Sequence, residues 1–137
     1  MLGISELSRK MPASPIRKLV PYAEAAKKRG IKVYHLNIGQ PDVESPKEAL
    51  EPIRNFDLKL ISYPHSAGIE SYRRGLAKYY ESVNINLSYE EIIVTIGGSE
   101  ALQMALNVCC NPGDEVIVFE PFYTNYNTFA LMSGVKY

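Results

Sequence analysis

Apolar side chains first fall into a helical rhythm between Ile16 and Arg29, at Ile16, Leu19, Val20, Ala23 and Ala26. That spacing marks one helix face, and Gly30 is a stop signal. Pro21, which fits a first turn best, leaves the start of this helix open. Ile31–Ile38 (IKVYHLNI) is rich in β-formers and predicts a short strand. Gly39-Gln40-Pro41-Asp42 then reads as a loop. Ser45-Pro46-Lys47-Glu48 has the residues of a capping box with proline at the first helical position. The helix it opens should reach about Phe56, with a kink or a short first segment at Pro52. Ile61–Gly68 is a loop. Helical spacing returns over Ile69–Val83, with Ile69, Tyr72, Leu76, Tyr79, Tyr80 and Val83 on or near one face. Gly75 inside that stretch costs about 1 kcal/mol relative to alanine, so packing must hold it.

The last third has the clearest pattern. Ile92–Ile96 is a continuous apolar, β-branched run, and Gly97-Gly98-Ser99 turns the chain. Glu100–Cys110 predicts a helix with Leu102, Ala105, Leu106 and Cys109 inward. Asn111-Pro112-Gly113-Asp114 is a tight turn, Val116–Phe119 a second buried strand, Thr124–Met132 a helix, and Val135–Tyr137 the start of a third strand. Strand, helix, strand, helix, strand with apolar strands argues for an α/β fold, a parallel sheet with helices on both faces. So small a parallel sheet leaves edges unpaired. The expectation is an N-terminal piece of a larger α/β protein, with a complete small domain as the alternative.

Composition narrows the function classes. The 137 residues carry 15 Lys+Arg and 15 Asp+Glu, for zero formal charge, which removes the basic excess that nucleic-acid or anionic-membrane binding needs. Hydrophobic residues at 46% and charged residues at 22% are ordinary globular usage. No apolar run approaches the roughly 18–20 residues that span a bilayer. Met1–Lys10 lacks a secretory core. The adjacent Cys109 and Cys110 cannot staple distant segments, so a reduced, cytoplasmic setting is the easier reading.

Four segments carry candidate chemistry. At Thr95–Leu102 a strand ends, two glycines let the backbone approach a ligand, and a helix begins. Free N–H groups and the positive end of the helix suit a phosphate there, with Ser99 capping the helix or donating its hydroxyl. An ordinary strand-to-helix turn with Ser99 as N-cap accounts for the same residues. Gly39 can offer an unobstructed N–H to an anion, or serve a plain turn. Tyr63 can donate a hydroxyl from its loop or simply pack; His65 reads as a solvated loop residue. Tyr123 follows the second strand at its carboxyl end, where open α/β sheets bind ligands, and could stack on a planar ring. Phe122 is better read as packing.

Taken in order, these segments resemble the class I/II, fold-type I pyridoxal-phosphate aminotransferases, the broad aspartate-aminotransferase family. Ser14-Pro15-Ile16-Arg17 resembles the N-terminal arm, and Gly39-Gln40-Pro41-Asp42 with Ser45-Pro46 resembles G-[EQ]-P-D-x-x-[ST]-P. Tyr63 with Ala67-Gly68-Ile69 and Arg73 resembles Y-x-x-x-A-G-[IL]-x-x-L-R, with Tyr72 in place of leucine. Gly97–Leu102, Asn111–Val116 and Pro121-Phe122-Tyr123 resemble G-[GS]-x-x-A-L, [DN]-P-G-D-E-V and P-x-[YW].

The resemblance implies a three-layer parallel-sheet large domain, incomplete in this chain, with residues 1–40 as arm and small-domain segment and 41–137 as the first part of the large domain. It implies pyridoxal 5'-phosphate as cofactor. The phosphate would rest on the Gly98, Ser99 and Glu100 N–H groups and the Ser99 hydroxyl, and the ring on Tyr123. Gly39 would meet the substrate carboxylate and Ile16 line the substrate entrance. Tyr63 would reach the phosphate of the other subunit, which makes the protein a homodimer with shared sites. The Glu120-Pro121 bond falls where the family often has a cis proline. The substrates implied are an amino acid and a 2-oxo acid, with no metal, no nucleic acid and no membrane. The family's Schiff-base lysine, its pyridine-nitrogen carboxylate and its carboxylate-binding arginine lie beyond position 137, so the 137 residues alone should not transaminate. A non-catalytic module and a lyase or synthase of the same fold stay open as alternatives.

Overall fold

The structure is a computed structural model and describes residues 3–137. The chain forms two compact units, one from Met1–Asp42 with Leu102–Tyr137 and one from Val43–Ala101.

In the first unit the polar arm carries a short helix, α1 (Glu6–Lys10), capped by Ser5, whose hydroxyl accepts from the Ser8 N–H at 3.1 Å. A 3-10 turn, Arg17–Leu19, leads into α2 (Val20–Lys28). Pro21 sits in the first turn of α2, where its missing N–H leaves no helical bond unmade. Gly30 ends the helix at φ +77°, its N–H on the Lys27 carbonyl at 2.9 Å, and the Ile31 N–H returns to the Ala26 carbonyl at 3.1 Å.

The Asn111–Asp114 turn forms as expected. The Asp114 carboxylate accepts from the Asn111 N–H at 2.7 Å, and Gly113 takes φ +96°. Later, α6 (Asn125–Met132) buries Ala130, and the chain beyond it buries Val135. The segment after the Asn111–Asp114 turn then pairs in parallel with the C-terminal one at Glu115 and Lys136: the Val116 N–H donates to the Lys136 carbonyl and the Lys136 N–H to the Asp114 carbonyl, both at 2.9 Å.

That bridge is the whole of the sheet among the described residues. Ile31–Ile38, Ile92–Ile96 and Val116–Phe119, predicted as strands, make no ladder beyond it. A parallel strand must find neighbours for its N–H and C=O groups, and the described residues supply one such pairing.

In the second unit, α3 (Lys47–Arg54) starts after Pro46, without a side-chain cap. The capping box predicted at Ser45 and Glu48 is absent because the helix begins one residue later than that box requires. α3 also runs unbroken through Pro52. α4 (Glu70–Ser82) covers the predicted helix, but its apolar stripe stays largely open, and the buried side chain is Arg73 at 6% exposure. On the solvent side Arg74 pairs with Glu70 at 2.7 Å and lies 3.7 Å over the Tyr89 ring. The hydrogen bond that Arg74 donates to the Glu70 carboxylate raises the Arg74 pKa above its usual value. The capping box that does form belongs to the 3-10 turn Tyr89–Glu91, where the Ser88 N–H donates to Glu91 at 2.8 Å.

α5 (Gly97–Cys109) begins in one unit and ends in the other. It starts in the diglycine, three residues ahead of the predicted Glu100. Its half-buried positions are Glu100, Gln103 and Leu106, with Cys110 just beyond its end, whereas Leu102, Ala105 and Cys109 are exposed. Gln103 holds this face by donating to the Ser133 hydroxyl at 2.5 Å.

The chain exposes 12341 Å², about 1.7 times the roughly 7,200 Å² that a compact monomer of 15.4 kDa shows. Ile96 is 91% and Phe119 85% exposed. Apolar surface on this scale recruits other apolar groups. The 137-residue chain should therefore enhance the fluorescence of an apolar dye such as ANS several-fold over a compact domain of equal size; no enhancement would contradict the exposure described.

Candidate functional site

Two N–H groups are left free at the start of α5. A helix opens with four N–H groups that lack intrahelical acceptors, those of the N-cap and the first three positions, here Ile96 to Ser99. The Glu100 carboxylate takes the Ile96 N–H at 2.5 Å, and the Thr95 carbonyl takes the Gly97 N–H at 2.9 Å. Gly98 and Ser99 keep theirs, with no acceptor outside the helix. Both residues are exposed, and a Cβ built on Gly97 or Gly98 would meet no atom within 4 Å. Gly97 holds φ +78°, which a side chain would strain. Two amides, the Ser99 hydroxyl and the positive end of a 13-residue helix form a donor set suited to a phosphoryl group. Glu100 follows Gly98 and Ser99 in the same first turn. Its side chain caps the bend by accepting the Ile96 N–H.

In the first unit a cavity of about 410 Å³ gathers three residues singled out from the sequence, Ile16, Gly39 and Tyr123, together with Arg17, Asn37 and Asn125. Asn37, the last residue before the Ile38-Gly39 step, donates its amide to the Ile16 carbonyl at 3.3 Å and so ties the arm to the Gly39 loop. Gly39 is exposed and its Cα side is open, so its N–H can be approached. Tyr123 is 48% exposed. Its hydroxyl accepts from the Asn125 amide at 2.8 Å, and its ring stands edge-on to Tyr126, 88° apart with centroids 5.8 Å distant. Tyr126 in turn stacks on Phe122 at 6.4 Å. These contacts fix the Tyr123 ring at the cavity wall. The Glu120-Pro121 bond just before it is cis, as the resemblance suggested.

Tyr63 is fully exposed, and its hydroxyl makes no hydrogen bond among the described residues. Its loop is nonetheless built. The His65 Nδ1 accepts from the Ala67 N–H at 3.1 Å, and the His65 carbonyl accepts from the Gly68 N–H at 2.7 Å. His65 is thus a structural acceptor within its loop. Asn37 heads the Asn37–Asp42 segment that the sequence marks, without a role of its own there, and the sequence marks neither Asn125 nor Tyr126. The only signal for them was proximity to the quoted motifs, and their partners lie up to 21 residues away.

The family pattern of the aminotransferases of class I and II matches residues 31–137. The chain belongs to that family. Family members depend on pyridoxal 5'-phosphate. An aspartate aminotransferase of Sulfolobus acidocaldarius is 35% identical over 112 residues, 80% of this chain and 28% of that protein. An LL-diaminopimelate aminotransferase of Desulforudis audaxviator is 33% identical over 135 residues, 89% of this chain and 34% of that protein. The solved structure of Thermus thermophilus aspartate aminotransferase with maleate superposes with a TM-score of 0.84 at 29% identity, over 99% of this chain and 36% of that one. The fold is therefore that of fold-type I aminotransferases, and the chain spans about a third of its relatives' length. Among the described residues, no helix is long and apolar enough to cross a membrane.

A neutral hydrogen bond of the Asn37 kind contributes about 0.5–1.5 kcal/mol. Asn37→Ala should speed amide exchange of the Arg17–Leu19 turn by about 2- to 10-fold while leaving α6 unchanged; equal change in both would show a general loss of fold instead.

Proposed function

We propose that this protein is a pyridoxal-phosphate-dependent aminotransferase that moves an amino group between an amino acid and a 2-oxo acid. The observation that carries the reading is the single cavity shared by Ile16, Gly39 and Tyr123. These are the positions at which the family meets the substrate entrance, the substrate carboxylate and the cofactor ring.

The Gly98, Ser99 and Glu100 N–H groups and the Ser99 hydroxyl hold the phosphate, and the Tyr123 ring supports the pyridine. Glu100 serves the cofactor through its cap on Ile96, which keeps the bend in shape. The Gly39 N–H orients the substrate carboxylate, and Ile16 covers the way in. When bound, the cofactor supplies an electron sink for charge at the substrate α-carbon. Tyr63, fully exposed and without a hydrogen bond among the described residues, gives its hydroxyl to the phosphate of a second subunit in a homodimer with shared sites. These residues bind and orient. None is a lysine in the context the family uses, so we assign the 137 residues no transamination of their own. The free thiols of Cys109 and Cys110 fit a reducing, cytoplasmic setting.

Titration of the chain with pyridoxal 5'-phosphate and with pyridoxal, followed by Tyr fluorescence, tests the reading. The phosphorylated form should bind at least 10-fold tighter. Tyr123→Ala should weaken both ligands by about 5- to 10-fold, in line with the ~1 kcal/mol or more of ring stacking. Ser99→Ala should weaken the phosphorylated form alone, by a similar factor. Equal affinity for the two ligands in the unaltered chain would refute the phosphate assignment.

A further inference from the structure

We infer that Arg73 is a positioning residue that locks the Tyr63-bearing loop onto the segment feeding the phosphate-binding bend. Arg73 is the one buried charged side chain among the described residues. Its partners are neutral. Nε donates to the Gly68 carbonyl at 3.3 Å and Nη1 to the Tyr89 carbonyl at 3.0 Å, and the guanidinium lies 5.3 Å from the Tyr89 ring centroid. Among the described residues no carboxylate pairs with it. Burying a cation against carbonyls alone is costly, so what the arrangement holds in place is the informative part.

It holds two segments that are distant in sequence. Gly68 ends the loop that presents Tyr63, and Tyr89 opens the turn that runs into Ile92–Ile96 and then Gly97. The two meet directly as well. The Val94 N–H donates to the Ala67 carbonyl at 2.9 Å. Gly68 lies so close to Val94 that a Cβ on it would fall 2.5 Å from Val94 Cγ2, and its φ of +98° suits only glycine. Arg73 therefore braces Gly68 on one side while Val94 closes on the other, three residues before the bend. The spacing between the loop that offers a hydroxyl to one phosphate and the bend that receives another is set by this clamp. The inference rests on the phosphate reading above.

Hydrogen exchange and ligand titration on the same chains test it separately. Arg73→Ala should accelerate exchange at the Val94 and Gly68 amides at least 10-fold relative to amides of α6. It should weaken pyridoxal 5'-phosphate at least 5-fold with less than a twofold effect on pyridoxal. Arg73→Lys, which keeps a buried cation but not the fork, should fall between. Gly68→Ala, with Arg73 intact, should reproduce the phosphate-specific loss from the other side of the clamp. Unchanged exchange at Val94 in Arg73→Ala, or equal weakening of both ligands in Arg73→Ala and Gly68→Ala, would overturn the clamp. If the unaltered chain does not prefer the phosphorylated ligand, the phosphate reading fails on its own, and exchange at Val94 still decides the clamp.

Discussion

Everything at the candidate site depends on how four amides are shared out where Ile96 gives way to α5. Glu100 reaches back for the first, Thr95 takes the second, and the next two have no acceptor outside the helix among the described residues. Had Glu100 been a residue that could not reach back, the bend would lose its brace and one more N–H would compete for any anion. Had Gly97 carried a side chain, its left-handed conformation would be strained. A carboxylate near a proposed phosphate site looks unfavourable by charge alone. Here it is held in a hydrogen bond to the backbone, so its role is to shape the donor pair.

The fold was legible in the sequence wherever local chemistry decides the outcome. Gly30 stopped α2, Asn111–Asp114 turned, and the helices over Glu70–Ser82 and Asn125–Met132 lie where periodicity put them. Legibility ended where the outcome depends on distant partners. Ile92–Ile96 and Val116–Phe119 have strand-like side chains, yet a ladder is a property of pairs, and only Glu115 with Lys136 is paired. The α5 face was misjudged by about one position for a related reason: Ser133, far along the chain, offers Gln103 a partner that turns a polar residue inward. The capping box failed at Ser45 through a shift of a single residue and appeared at Ser88, ahead of a turn too short for any periodicity to reveal.

The site divides the same way. Residue types and order pointed to Ile16, Gly39 and Tyr123, and the structure brings these three to one cavity. What the sequence concealed is the support beneath them. Asn37 bonds to a carbonyl, which every residue has, so no motif marks the pairing. Asn125 and Tyr126 act by orienting a ring, a matter of angles. Arg73 was visible as part of a family pattern, but its burial between two carbonyls is a tertiary fact.

The bareness of Tyr63 has a consequence for variation at that position. A side chain that touches nothing in its own fold can be exchanged with almost no folding penalty. In the homodimer proposed above, a defect that follows a change there would arise between subunits, and dilution would deepen it while added protein relieves it. On that proposal, position 63 tunes the shared site while the fold of one subunit stays as it is.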